Sequence, residues 1–240
     1  MDITKFTRPA RKLLPLQKCG VVIVAAGTAS RMGGIDKVMA PLGGEPMIAR
    51  TVRAFQTCDA VSEIVIVTRP DLIVKITGLT AKMDKVRAVV AGGSSRQESV
   101  HLGLNALGED VKLAAVHDGA RPLVSWQVID RVIRAANTYG AAAPAIAVKD
   151  TVKVVEGGVV KKTPDRATLR AVQTPQVFDF DLLRAAHKNV TQTGAQVTDD
   201  CSAVELLGMS VKIVEGDEKN IKVTTPLDLK IAELLLEEQA

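Results

Sequence analysis

Short runs of apolar residues, many of them β-branched, recur along the first two thirds of the chain. They cover residues 20–26, 63–68, 86–91, 113–117 and 141–148. The segments that separate them have a helical spacing of apolar positions and lie near residues 46–57, 70–78, 96–108 and 125–138. Because strands and helices alternate at this spacing, the pattern predicts βαβ units and a mostly parallel sheet covered on both faces.

The later part of the chain departs from this alternation. Residues 150–156 alternate as in a strand, Gly157–Gly158 marks a turn, and residues 159–162 return. This pattern predicts a β-hairpin. Since an isolated hairpin is at best marginally stable in water, we expect it to project as an arm and to pack against a second subunit. Further helices are predicted near residues 179–189, 199–207 and 226–238, with a strand at 211–215.

These elements predict an α/β fold with a Rossmann-like, doubly wound, mostly parallel sheet and a projecting β-hairpin arm used in dimerisation. No repeat, low-complexity stretch or linker divides the chain. We therefore expect residues 19–240 to form one domain, with the arm at about 148–170. Residues 1–18 are expected to form a mobile, basic extension.

Charge and composition exclude several classes of function. Residues 1–18 carry a net charge of +4, which equals the net charge of the whole chain, so the remainder is neutral and has no general basic surface. Aromatic residues are only 2%, which argues against stacking of nucleic-acid bases. No apolar run approaches the roughly 18 residues of a membrane span. Hence neither a nucleic acid nor a membrane is an expected partner.

The three cysteines lie far apart, at positions 19, 58 and 201, and the chain has no Cys-x-x-Cys pair. This spacing indicates neither a zinc site nor a disulfide framework. The extension lacks the apolar core of a signal peptide and the serine run of a transit peptide. We expect reduced, mostly buried cysteines and a cytoplasmic location.

The loop after the first predicted strand carries the most informative chemistry. Gly27 ends the apolar run, and a loop of small residues follows that contains Arg31, Gly33–Gly34 and Lys37. Glycines allow a ligand to approach the backbone closely, and the two cations suit a polyphosphate at the carboxyl end of a strand. The alternative is an ordinary loop with two surface cations.

Two further strand ends carry polar groups. Gly92–Gly93 is followed by Ser94 and Ser95 at a helix start, where N–H groups and hydroxyls could meet a ribose or base. The alternative is a simple helix N-cap. After the strand at 113–117, Asp118 and Arg121 could bind hydroxyls and phosphate, or could form only a local ion pair.

Taken together in this order, the motifs resemble the 2-C-methyl-D-erythritol 4-phosphate cytidylyltransferase family over roughly residues 19–238. The loop Ala-Ala-Gly-x-x-x-Arg-Met is shared with many sugar-nucleotide pyrophosphorylases, and the later motifs narrow the resemblance. It rests on Ala25–Ala26–Gly27 with Arg31–Met32 and Lys37, Gly92–Gly93 with Arg96 and Ser99, His117–Asp118 with Ala120–Arg121–Pro122, Asp150–Thr151–Val152–Lys153, Asp165–Arg166, Thr174–Pro175–Gln176, Thr198–Asp199–Asp200, Ser202–Ala203 and Ile221–Lys222–Val223–Thr224.

The resemblance implies transfer of CMP from CTP to 2-C-methyl-D-erythritol 4-phosphate, giving 4-diphosphocytidyl-2-C-methyl-D-erythritol and pyrophosphate, in the non-mevalonate isoprenoid pathway. It implies Mg²⁺ held mainly through the CTP phosphates, and no metal-binding side chains. It also implies a homodimer in which the arm crosses over, so that Arg166 serves the partner's site. The implied roles are catalysis for Arg31, Lys37, Lys222 and Arg166, nucleotide binding for Ala25, Ala26, Gly27, Gly93, Ser94 and Ser99, and alcohol-phosphate binding for Asp118, Arg121, Thr151, Thr174 and Thr198.

Three positions depart from the family's usual pattern. Asp36 precedes the loop lysine where relatives commonly have Pro, Ser94 stands where many carry Asp, and Gly119 replaces a common Ala. A sibling enzyme acting on D-ribitol 5-phosphate would share the CTP-binding half and remains an alternative. A catalytically silent nucleotide-binding scaffold is a second one. A dehydrogenase is disfavoured because the first loop lacks the G-x-G-x-x-G spacing, and a P-loop enzyme because its motif is missing.

Overall fold

The structure, a computed structural model, describes residues 15–27 and 37–238. The predicted extension at 1–18 therefore lies mostly outside the described residues, as do Arg31 and Asp36. The strands are β1 (Cys19–Ala25), β2 (Pro41–Leu42), β3 (Glu45–Pro46), β4 (Val61–Thr68), β5 (Val86–Ala91), β6 (Leu113–Asp118), β7 (Ala141–Ala147), β8 (Val154–Glu156), β9 (Val159–Lys162), β10 (Arg170–Val172), β11 (Gln176–Asp179) and β12 (Lys212–Glu215). The helices are α1 (Met47–Gln56), α2 (Ile73–Thr80), α3 (Arg96–Ala106), α4 (Trp126–Tyr139), α5 (Phe180–Thr193), α6 (Asp200–Glu205) and α7 (Pro226–Glu237).

Eight strands form the main sheet, with β1 at its centre between β6 and β4. Strand β5 completes one side, while β11, β10, β7 and β12 extend the other. All neighbouring strands are parallel except for β10 and β11, which run antiparallel to β6 and β7. The predicted α/β fold with a doubly wound, mostly parallel sheet is confirmed.

The register of the central strands brings their carboxyl ends to one edge of the sheet. Val24 of β1 lies opposite Asp118 of β6, and Ala25 lies opposite Thr68 of β4. Thr68 in turn lies opposite Ala91, the last residue of β5. The loops that follow β1, β5 and β6 therefore begin at the same level, which is where ligands bind in sheets of this kind.

Alternating side chains of the central strands fill a core on each face of the sheet. Val21 and Ile23 of β1 pack on one face with residues of α1 and α4, including Phe55. Val22 packs on the other face with residues of α3 and α5. Because both faces are covered, the central strands are apolar along most of their length, which is the sequence pattern that predicted them.

The predicted helices are all present, with ends within a few residues of the predicted ones. The antiparallel strands β10 and β11 and the short pair β2–β3 were not predicted. Their sequences are short, and Gln173, Thr174 and Pro175 separate β10 from β11. Neither segment has the long apolar run of a central parallel strand, so periodicity did not reveal them.

The hairpin is confirmed as an element, although β8 begins at Val154 and not at Asp150. Its turn residues Gly157 and Gly158 have φ of +56° and +78°, which glycine adopts without strain. Strands β8 and β9 pair with each other outside the main sheet, and all their residues are exposed. The use of this arm in dimerisation stays a prediction, as does the division of the chain into an extension and one domain.

Two expectations from composition can be compared with the described residues. All three cysteines are free and buried, as expected. In the described part of the chain, no helix is both long and apolar enough to cross a membrane.

Candidate active site

A cleft of about 370 Å³ opens where the loops after β1, β5 and β6 meet. All the residues implied in nucleotide binding line it, together with Lys37, Asp118 and Lys222. The structure thus brings together residues that lie almost 200 positions apart in the chain. The full lining is Val24, Ala25, Ala26, Gly27, Lys37, Val38, Gly93, Ser94, Ser95, Arg96, Ser99, Asp118, Ala120 and Lys222.

Close packing of backbone shapes the nucleotide side of the cleft. A Cβ on Gly92 would lie 2.4 Å from the Cβ of Ala26 and 2.9 Å from Ser99 Oγ, so the loops after β1 and β5 touch at a position that only glycine fits. Ser99 is buried and accepts a hydrogen bond from the Gly93 N–H at 3.1 Å. Its hydroxyl donates to the Ser95 carbonyl at 2.8 Å. Ser99 therefore holds the loop from inside, besides lining the cleft.

The two serines at the start of α3 have different roles. Ser95 is the N-cap, because its hydroxyl accepts from the Glu98 N–H at 3.0 Å. Ser94, one of the departures from the family pattern, donates from both its N–H and its hydroxyl to Glu98 Oε2, each at 2.7 Å. These contacts hold the pKa of Glu98 below its usual value. The N-cap alternative is thus correct for Ser95, while Ser94 is exposed at the cleft.

Gly119, another departure from the pattern, lies tightly against β1. A Cβ there would be 3.0 Å from the Ala25 Cβ and 3.1 Å from the Val24 carbonyl oxygen. The Gly119 N–H donates to that same oxygen at 2.9 Å. The loop after β6 is therefore fixed directly beside the first loop of the cleft.

Asp118 is the charged centre of the other side of the cleft. Its carboxylate lies 2.8 Å from Lys222 Nζ and 3.8 Å from both Arg121 Nε and Arg96 Nε. Burial alone would raise the pKa of this carboxyl, but the Lys222 and Arg96 cations outweigh burial and hold the pKa below its usual value. The predicted Asp118–Arg121 ion pair exists as one part of this larger cluster.

A neutral histidine fixes the backbone of Asp118 from below. His117 Nε2 lies 3.2 Å from the Arg121 carbonyl oxygen, which can only accept, so Nε2 carries the proton. Nδ1 then accepts from the Thr174 hydroxyl at 3.1 Å, and that oxygen accepts from the Asp118 N–H at 3.1 Å. Complete burial lowers the pKa of His117 to about 4, which keeps the ring neutral. Thr174 is buried within this chain of hydrogen bonds and does not line the cleft.

Arg121 and Lys37 hold different positions. The Arg121 Nη1 donates to the Asn220 carbonyl at 2.6 Å, which ties the loop after β6 to the segment before α7. Lys37 begins a short 3₁₀ helix whose middle residue, Val38, is buried. That anchor places Lys37 in the cleft wall, whereas Arg31 lies outside the described residues.

Besides Arg121 and Thr174, which do not line the cleft, three more of the predicted site residues that the structure describes, Thr151, Arg166 and Thr198, are absent from its lining. Thr151 and Arg166 are exposed at the base of the arm, where Arg166 Nη1 donates to the Lys149 carbonyl at 2.7 Å. Thr198 is exposed beside α6, with its hydroxyl 3.1 Å from Ser202 Oγ. The predicted roles of these three residues need another surface or a movement of their loops.

Sequence reasoning gave no role to a buried polar group beneath the cleft. Asp200 is 1% exposed and lies 2.8 Å from Arg96 Nη2 and 2.9 Å from His187 Nε2. Burial would raise the Asp200 pKa, but Arg96 and His187 hold it below its usual value. Asp200 and Arg96 stand in the motifs that carry the family resemblance, and His187 lies on the buried face of the amphipathic helix α5, but none of these signals shows that the three side chains meet.

The donor set of the cleft suits a metal ion carried by its ligand. Within residues 15–27 and 37–238 there is no group of three or more His, Cys, Asp and Glu that could hold a metal ion. Asp118 is the one acidic residue among those that line the described cleft, and Lys222 already contacts it. Mg²⁺ also takes substrate phosphates and waters as ligands, so the phosphates of a bound ligand would supply most of its contacts in this cleft.

Comparison with known proteins agrees with this geometry. Residues 19–238 match the family model described as IspD, 2-C-methyl-D-erythritol 4-phosphate cytidylyltransferase. The enzyme of that name from Geobacillus kaustophilus is 46% identical over 219 residues, which are 90% of this chain and 95% of the relative.

Solved structures agree as well. That of 4-diphosphocytidyl-2C-methyl-D-erythritol synthase from Anaerococcus prevotii has a TM-score of 0.85 at 30% identity, and the match covers 93% of this chain and all of that one. The 2-C-methyl-D-erythritol 4-phosphate cytidylyltransferase from Thermus thermophilus gives 0.74 at 35% identity, over 92% of this chain and all of the other. The chain belongs to the 2-C-methyl-D-erythritol 4-phosphate cytidylyltransferase family.

Proposed function

We propose that this chain transfers CMP from CTP to 2-C-methyl-D-erythritol 4-phosphate, forming 4-diphosphocytidyl-2-C-methyl-D-erythritol and pyrophosphate in the non-mevalonate isoprenoid pathway. The observation that carries the proposal is the cleft at the strand ends. There, cations from distant parts of the chain, Lys37 and Lys222, face two loops with closely packed backbone. Family membership supports the same conclusion.

The chemistry that this cleft must perform is positioning and charge neutralisation. The attacking group is a phosphate monoester whose second pKa lies near 6, so it is largely dianionic at neutral pH and needs no general base. Lys37, Lys222 and Arg31 would hold the triphosphate and stabilise charge as the alcohol phosphate attacks the α-phosphorus in line. Mg²⁺ held mainly by the CTP phosphates would neutralise further charge.

Selection of cytosine would fall to the fixed backbone of the nucleotide side. Ala25 and Gly27 flank Ala26, whose Cβ packs against Gly92, and the Gly93 N–H donates to Ser99 Oγ. Backbone carbonyls in such a rigid pocket would accept the exocyclic amine of cytosine. UTP lacks that amine and would leave buried acceptors unpaired, so we expect the site to reject UTP strongly.

The alcohol phosphate would bind on the Asp118 side. The ionised carboxylate of Asp118 can accept hydrogen bonds from hydroxyls of the substrate, while Thr174 and Arg121 hold the backbone on that side. Thr198, which is exposed beside α6, would contact the substrate after a movement of its loop. Thr151 and Arg166 would complete it from the arm of a second subunit. The exposed valines of the hairpin, such as Val155 and Val160, are apolar surface that a partner chain would cover.

The test of the activity is pyrophosphate release with CTP and Mg²⁺. Methylerythritol phosphate and D-ribitol 5-phosphate are compared side by side, with UTP and ATP as controls. Turnover restricted to CTP with methylerythritol phosphate is the expected result. Preference for ribitol phosphate would overturn the assignment of the alcohol while keeping the CTP half. No release with either alcohol would favour a silent scaffold.

The test of the crossed arm is complementation between two damaged chains. Arg166→Ala and Lys222→Ala chains are each purified, mixed in equal amounts, dissociated and reassembled. If the arm crosses, about a quarter of the sites then carry neither defect, and activity measured with alcohol phosphate well below its wild-type KM rises well above that of either parent. If Arg166 serves its own chain, mixing restores nothing.

We place this homodimer in the cytoplasm, since the free buried thiols suit a reducing compartment.

A further inference from the structure

A buried ionic chain runs from α5 to the cleft. His187 Nε2 contacts Asp200 Oδ1 at 2.9 Å, and Asp200 Oδ2 accepts from Arg96 Nη2 at 2.8 Å. Asp200 is 1% exposed, and its backbone N–H donates to Gln176 Oε1 at 3.1 Å. Both the carboxylate and its backbone are therefore held, so Asp200 fixes one side of the Arg96 guanidinium.

The other side of that guanidinium faces the cleft. Arg96 Nε lies 3.8 Å from Asp118 Oδ1, and Arg96 is part of the cleft lining. One guanidinium thus bridges two carboxylates, the interior Asp200 and the cleft-facing Asp118. The rigid, always charged fork of arginine suits this bridging role better than the flexible ammonium of a lysine.

Lys222 meets two demands that conflict. Its ammonium is the nearest partner of Asp118, at 2.8 Å, and under the proposed function it must also contact phosphate. Its side chain is 44% exposed on a segment before α7, whereas the Asp118 side chain is 12% exposed. If Lys222 turns to the phosphate, a largely buried carboxylate loses its nearest counter-ion.

We propose that Arg96, held in place by Asp200 and His187, is a positioning residue that serves as the standing counter-ion of Asp118, so that Lys222 can leave Asp118 for the phosphate. The inference rests on the proposed function for the movement of Lys222. The anchoring of Arg96 beside Asp118 is independent of it. Asp118 then stays ionised and keeps accepting hydrogen bonds from substrate hydroxyls while Lys222 contacts the reacting phosphate.

The charges around Asp118 decide in which direction its pKa moves when the Arg96 cation is removed. Lys222 from the segment before α7, Arg96 from α3 and Arg121 from its own loop all favour the ionised carboxylate, and Lys37 lies in the same cleft. Asp200 is of like charge but lies behind Arg96, and His117 next to Asp118 is neutral. Loss of the Arg96 charge must therefore raise the pKa of Asp118.

The variant for the test replaces the buried ion pair as a unit. Arg96→Gln alone would leave Asp200 buried without its cation, which destabilises folds strongly. Combining it with Asp200→Asn places two amides in this position, which can hydrogen-bond with each other. The amide oxygen introduced at position 200 can still accept a hydrogen bond from His187. The matched control is Arg184→Gln, which removes an arginine from α5 where it stacks on Phe180 outside the cleft. Thermal melts of all three proteins verify folding.

The kinetic readout is the pH dependence of kcat/KM, measured separately for each substrate. The substrate phosphate, with its second pKa near 6, sets the start of the acidic limb for the alcohol phosphate. In the double variant we expect the lower part of this limb, which Asp118 sets, to move up by about 1 pH unit, while KM for CTP changes by less than about threefold. Arg184→Gln should follow the wild type. An unmoved acidic limb in the folded double variant, or equal losses for both substrates, would overturn the proposal.

A second readout needs no substrate. The ¹³C shift of the Asp118 carboxyl is titrated in the wild type, in the double variant, and in both again with Lys222→Met. The titration should move to higher pH on loss of Arg96, and further when Lys222 is also gone. No movement would overturn the role of Arg96 as counter-ion. A movement here in a protein without cytidylyltransferase activity would instead mean that the proposed function is wrong and the counter-ion geometry right.

Discussion

The cleft and the arm carry the two halves of the proposed site, and they are built in opposite ways. The loops after β1 and β6 follow buried strands that pair with a neighbour on each side, while the loop after β5 follows the edge strand of the sheet. The arm pairs only β8 with β9 among the described strands, and it presents its valines to the surface. The sheet of a single chain positions the first half, while the second half depends on whatever covers the arm.

Glycines mark the same contrast. At Gly92 an added Cβ would lie 2.4 Å from Ala26, so packing between two loops demands the glycine. At Gly157 and Gly158 nothing lies within 4 Å of an added Cβ, and positive φ alone demands them. A substitution at Gly92 would therefore act through steric contact with neighbouring atoms. A substitution at Gly157 or Gly158 would act through the local backbone conformation and through contacts with a partner.

The largest expected effect separates the cleft from its surroundings. Lys222→Ala should lower kcat by about 100-fold or more, since losing one charge-stabilising group in a water-poor site costs about 3–4 kcal/mol. Steady-state pyrophosphate release measures it. The matched control is Lys219→Ala, on the same segment, whose ammonium contacts Glu238 at 3.3 Å. Similar losses in both variants would show damage to the segment and not loss of a catalytic cation.

The second effect concerns how much the buried, neutral His117 next to Asp118 contributes to the stability of the fold. His117 has a pKa of about 4 when folded and 6.5 in the unfolded reference, so between these values the unfolded chain binds more protons. Stability must therefore fall as pH falls from 6.5 towards 4, by up to about 3 kcal/mol. Urea unfolding across this pH range measures the loss.

The matching variants are His117→Gln and His101→Gln. Glutamine at 117 can accept from Thr174 and donate to the Arg121 carbonyl without titrating, so most of this slope should disappear. His101 is exposed on α3, 3.1 Å from Asn105, and its replacement should leave the slope unchanged. If the slope survives in His117→Gln, the titration of His117 is not its source.

The same contrast explains what could be predicted from the sequence. Long apolar runs reveal the central strands in the sequence. In a parallel sheet the loops after these strands lie at the same edge, so the prediction that Gly27, Gly93 and Asp118 lie together at one cleft could be made from the sequence. Lys222 came only from the family motif, because no periodicity links a late extended segment to the first strand. The pairing of His187 with Asp200 depends on how α5 packs beside α6, which sequence spacing does not encode.

The third effect concerns the arm. Arg166→Ala should raise KM for the alcohol phosphate by about tenfold with little change in KM for CTP, since one charged contact to a substrate contributes about 1–2 kcal/mol. Initial rates with each substrate varied in turn provide the measurement. Arg170→Ala is the control, because that side chain donates to the Ala167 and Leu169 carbonyls. Equal changes in KM for CTP and for the alcohol would indicate general damage and contradict the assigned role.

The smallest effect asks which face of the arm a partner covers. Val155 and Val160 lie opposite each other across β8 and β9 and are 55% and 54% exposed. Val160→Thr keeps the shape and the β-propensity but adds a hydroxyl, so burial of this face should raise the dimer dissociation constant by about fivefold. Sedimentation at several concentrations measures it, and Lys161→Thr is the control on the opposite face. If Lys161→Thr shifts the dimer equilibrium and Val160→Thr does not, the arm packs against the partner by the face that carries Lys161. The dependence of the arm on a partner would then involve that face and not the exposed valines.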